Sequence, residues 1–153
     1  MKSKKCILLA VLSVLILLLS ATTVSAKTTR VEFTGYEVCD PPLILKEWVA
    51  GFTWHANGIT STCYDTASIP ELTGTDYLTG FTAQMVGKNF IMFGKLRMES
   101  DEGGVWIGSW VFPAHSPTIQ VIAHGEGMYE GMELHWFISL DGPFWGYIID
   151  TGK

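Results

Sequence analysis

The sequence predicts an all-β protein: a single antiparallel closed barrel of about eight strands, preceded by a cleavable signal peptide. Three observations carry this. Apolar and polar residues alternate in short runs from Arg30 to Asp150. Turn-forming residues separate those runs, as at Gly87-Lys88, Ser100–Gly104 and Asp141-Gly142. Glycines also recur inside the runs, at Gly80, Gly94, Gly108 and Gly146. An interior glycine weakens a flat strand but permits the coiling that closure demands.

The elements follow in chain order. Arg30–Val38 alternates and stops at Cys39-Asp40-Pro41-Pro42. Leu43–Val49 follows two prolines and is too short to read as a helix. Phe52–Asn57 and Ile59–Tyr64 flank Gly58, a kink or turn within a long hairpin. Asp76–Val86 and Asn89–Met98 form the next hairpin, across Gly87-Lys88. Val105–Phe112, Thr118–His124, Met132–Leu140 and Phe144–Asp150 complete the set.

The ends have a different character. Lys2, Lys4 and Lys5 precede an apolar run, Cys6–Leu19, and Val24-Ser25-Ala26 supplies small residues for cleavage. That run is short of the roughly 20 apolar residues a membrane span needs. Residues 1–26 therefore read as a signal peptide and 27–153 as one barrel domain, secreted to an extracellular or periplasmic space. The exported part keeps 7 basic against 15 acidic residues. Such a balance is repelled by phosphate backbones and anionic lipid, so neither nucleic acid nor membrane is an expected partner. Cys39 and Cys63 remain after cleavage and, in an oxidising compartment, are expected to pair as a disulfide.

The stretch HGEGMYEGMELHW, His124–Trp136, resembles the glycine-aromatic bend of allene oxide cyclase barrel-like and plant dirigent-like proteins. Gly125, Gly127, Tyr129 and Gly131 carry that pattern. With FTGYEVCDP and GGVWIGSW, the wider plan is similar to small secreted bacterial members without an assigned activity. The resemblance implies an eight-stranded barrel, commonly a homo-oligomer, whose cavity receives a small apolar molecule. It carries over no catalytic residue.

The chemistry is less sharply marked. Alternation after Gly131 sets Leu134, Trp136 and Ile138 against Glu133, His135 and Phe137. Glu133, His135 and Tyr129 are the candidate catalytic groups, since a histidine beside a carboxylate suits acid–base work. On a barrel's outside, the same charged pair would simply meet water. Trp54, Trp106, Tyr129, His135 and Trp136 are the candidate ligand-binding residues, as aromatic walls with polar tips. His55, His115, His124 and His135 show neither H-x-H nor H-E-x-x-H, so no metal site and no cofactor is predicted. The leading reading is a secreted barrel binding a small apolar or aromatic molecule in its cavity. A cyclase or isomerase using that cavity, and a surface or oligomeric structural module, are the alternatives.

Overall fold

The computed structural model describes residues 28–152, and the expected signal segment lies outside them. Among the described residues, nine strands form one antiparallel sheet: β1 (Thr29–Cys39), β2 (Lys46–Ala50), β3 (Thr53–Ala67), β4 (Gly74–Val86), β5 (Asn89–Ser100), β6 (Val105–Phe112), β7 (Thr118–Glu126), β8 (Met132–Ser139) and β9 (Pro143–Asp150). Strands β3 to β9 pair in sequence order. Strand β1 then joins β9 to β3, closing an eight-stranded barrel.

Strand β2 is the element the sequence left unassigned. It pairs with the first half of β3, from Thr53 to Asn57, beyond the segment that β1 occupies. All five of its residues are exposed, which is why no core-facing period shows in LILKEWV. Gly58, expected as a kink or turn, lies inside continuous β3 at φ +67°. The register slips between Asn57 and Ile59, so Gly58 marks a β-bulge. The inward set changes there from Ala56 to Ile59, Cys63 and Asp65.

Large apolar side chains fill the interior between the sheet walls. Trp106, Trp136, Leu96, Met98 and Leu134 are fully buried, and Phe144 meets Trp136 edge to face at 5.0 Å between centroids. One end is closed by two 3-10 turns, Pro70–Leu72 and Gly127–Tyr129. There Tyr129 stacks on Trp106 at 5.1 Å. The glycine bend is therefore architecture: Gly127 and Gly131 hold positive φ, where side chains are rare.

Cys39 and Cys63 lie directly opposite in the β1–β3 pairing and are bonded. The bond fastens the seam that closes the barrel. Replacing both by alanine is expected to lower stability by about 3 kcal/mol, read as a lower urea midpoint with an equal or steeper slope, since the unfolded chain loses its cross-link.

Candidate functional site

The outer wall carries two adjoining rows of outward side chains, set by strand register. One row runs Glu32, Tyr147, His135, Ile122, Ser109 and Lys95, from β1 through β9, β8, β7 and β6 to β5. The next runs Thr34, Trp145, Phe137, Gln120, Val111 and Phe93 across the same strands. Cross-strand neighbours on one face touch, so each row is a continuous strip of surface. On β5 to β8 the strips wall a groove of about 610 Å³. Phe93, Val111, Ile122 and Phe137 supply apolar surface there; Lys95, Gln120 and His135 supply polar groups.

His135 is held by two neighbours. Its Nε2 lies 2.6 Å from Glu133 Oε1, and its ring stacks on Tyr147 at 4.7 Å. Arg30 covers the Tyr147 ring at 3.8 Å. Phe137 stacks on Trp145 at 6.2 Å, continuing the aromatic surface toward a second groove of about 450 Å³ beside Arg30 and Thr34.

The predicted residues thus divide into separate places. Glu133 and His135 form a true pair, but on the outer wall. Trp136 lies between His135 and Phe137 in sequence and points the opposite way, into the core, because strand side chains alternate. Trp106 is also core, with Nε1–H donating to the Glu71 carbonyl at 3.0 Å. Trp54 is half-buried near Phe90, at 6.5 Å between centroids.

Tyr129 is buried at the closed end, and its hydroxyl donates to Ser100 Oγ at 3.0 Å. Burial raises the phenol above its ordinary value, so it remains a neutral donor. The tyrosine beside His135 is Tyr147. The three candidate catalytic groups therefore do not meet, and the five candidate ligand-binding residues do not line one cavity.

A second constellation, absent from the sequence expectations, lies inside the wall. Glu37 of β1 stands directly opposite Asp65 of β3, two positions along from the disulfide. Asp76 of β4 stands opposite Cys63. One oxygen from each of the three carboxyls lies within 4.8 Å of the others. Asp76 is 0% exposed and Asp65 3%. Burial pushes Glu37 up to about 7. Burial, then the charges of Glu37 and Asp76, push Asp65 up to about 9. Asp76 is raised by burial and by Glu37; the nearby Tyr77 amide opposes this but reaches no hydrogen-bond geometry.

One signal in the sequence leads to this cluster. An antiparallel Cys39–Cys63 pair fixes the register, and counting back two residues on one strand and forward two on the other brings Glu37 opposite Asp65.

No family model, curated protein or solved structure matches the chain.

Proposed function

We propose that this is an exported binding barrel of the allene oxide cyclase-like class, which takes a small apolar or aromatic molecule on its outer wall. The groove on β5 to β8 carries the proposal: apolar side chains form its walls, and Lys95, Ser109, Gln120 and His135 stand at fixed points around them. The closed eight-stranded plan and the glycine bend support the class, while the filled interior favours the outer site over the central one. Flat ligands suit it, because Phe137 and Trp145 present ring surface along one strip. Export is supported by the basic-apolar-small segment at the start of the chain and by the disulfide.

Mass spectrometry of small molecules retained by the purified protein tests this, with Ile122→Glu and His135→Ala as controls. The wild type is expected to retain one defined ligand, and Ile122→Glu to weaken retention about tenfold or more by placing a charge in the apolar wall. Equal retention by all three proteins would place the ligand elsewhere. If Ile122→Glu instead changes the sedimentation of an otherwise ligand-free protein, the wall is a surface for self-association.

A further inference from the structure

We propose that Glu37, Asp65 and Asp76 form a binding site for a divalent cation of calcium size inside the barrel wall. The site is distinct from the outer groove and does not depend on it. Three strands build it. Glu37 and Asp65 are paired across β1 and β3, and Asp76 enters from β4 beside Cys63.

The state of the oxygens decides for a ligand. Asp76 is fully buried and directed into the cluster, and neither of its carboxylate oxygens has a hydrogen-bond partner. Both oxygens of Asp65 and Oε1 of Glu37 are likewise buried without a partner. Buried polar groups are nearly always satisfied, and an unsatisfied buried charge costs several kcal/mol or more. One oxygen from each acid lies within 4.8 Å of the others, close enough for a single ion to touch all three. Among the described residues, no Lys, Arg or His forms an ion pair with any of them. The charge such a cluster can develop has no protein counterpart.

The donor set selects the ion. All donors are carboxylate oxygens, because the adjacent Cys39 and Cys63 are oxidised and offer no thiolate. Hard oxygen donors favour calcium, magnesium or manganese over zinc or copper. Calcium accepts several protein carboxylates in an irregular shell at roughly 2.3–2.6 Å, whereas magnesium keeps several waters and takes only one or two carboxylates. Three carboxylates converging from three strands therefore suit the larger ion. Glu37 also lines a pocket of about 400 Å³ at the barrel rim, with Ser139, Leu140 and Asp141. Glu37 is thus the member of the cluster nearest solvent.

The test uses the protein stripped with EDTA and exchanged into pH 8 buffer. Calcium chloride and magnesium chloride are titrated separately by calorimetry, and thermal unfolding is followed with and without each ion. One calcium per chain is expected, bound about tenfold or more tighter than magnesium, with a rise in Tm. Asp65→Asn/Asp76→Asn is expected to weaken calcium binding about 100-fold or more while keeping the native near-UV circular dichroism. Glu37→Gln, at the more accessible edge, is expected to weaken it about tenfold, and it decides the matter if the double variant does not fold. Absence of both heat and Tm shift in the wild type overturns the proposal. So does calcium binding that is undiminished in the variants.

Discussion

In EDTA, the protein is expected to lose about 3 kcal/mol or more of stability between pH 5 and pH 8. The sign follows from the three interior carboxyls. In the unfolded chain they titrate near the ordinary carboxylate value of about 4. In the folded protein Glu37 is raised to about 7, Asp65 to about 9, and Asp76 well above its usual range. Between those values the folded state holds more protons than the unfolded state, so stability falls as pH rises. It is fullest below about pH 4 and is lost as pH climbs through the folded values. Each group still protonated only in the folded state contributes a slope of about 1.4 kcal/mol per pH unit. Glu37 is only half-buried, so its share is smaller.

The groups facing the cluster do not offset this. Cys39 and Cys63 are bonded and do not titrate, and Met98, opposite Asp76 on β5, is apolar. A domain of this size has only about 5–15 kcal/mol in total, so the alkaline loss is a large fraction of it. Urea titrations at pH 5, 6.5 and 8 measure the slope. Asp65→Asn/Asp76→Asn should flatten it and, at pH 8, exceed the metal-free wild type by about 2 kcal/mol or more. A wild-type stability that is level or rising over this range would show that the carboxyls ionise freely in the folded protein. Adding calcium at pH 8 then separates proton from cation: an ion that replaces the protons restores stability in the wild type and not in the double variant.

The barrel was legible in the sequence because each strand's alternation is local. The apolar set Leu134, Trp136 and Ile138 could be separated from Glu133, His135 and Phe137 by counting alone, and the structure places the first set inside. Strand β2 was not legible, since an edge strand exposed on both faces has no buried set to impose a period. The outer groove was illegible for another reason. It depends on register across four strands and on the curvature of the wall, and Phe93 and Phe137 are 44 residues apart. The acid cluster falls between these cases. Its register was implied by the two cysteines, but only once β1 and β3, which are not joined by a hairpin, are known to be neighbours.

Trp106→Ala is expected to cost about 4 kcal/mol or more, the largest loss among single side-chain truncations at the closed end. Trp106 is fully buried, and its removal leaves a cavity that the rigid walls of β5, β6 and β7 cannot collapse to fill. The ring also joins both closing turns. Its indole N–H donates to the Glu71 carbonyl in one, and its face stacks on Tyr129 in the other. Tyr129 passes the connection on to Ser100, whose hydroxyl donates to the Pro70 carbonyl at 3.2 Å. Truncation therefore removes apolar contact and also leaves the Glu71 carbonyl without this donor inside the cap. Trp106→Phe keeps the stack and most of the volume, and is expected to cost about 1–2 kcal/mol, mainly for the lost hydrogen bond. Urea unfolding of the two variants separates these contributions. Equal losses for Ala and Phe would assign the effect to the N–H bond alone, whereas a large difference shows that filling the barrel end is what holds the turns in place.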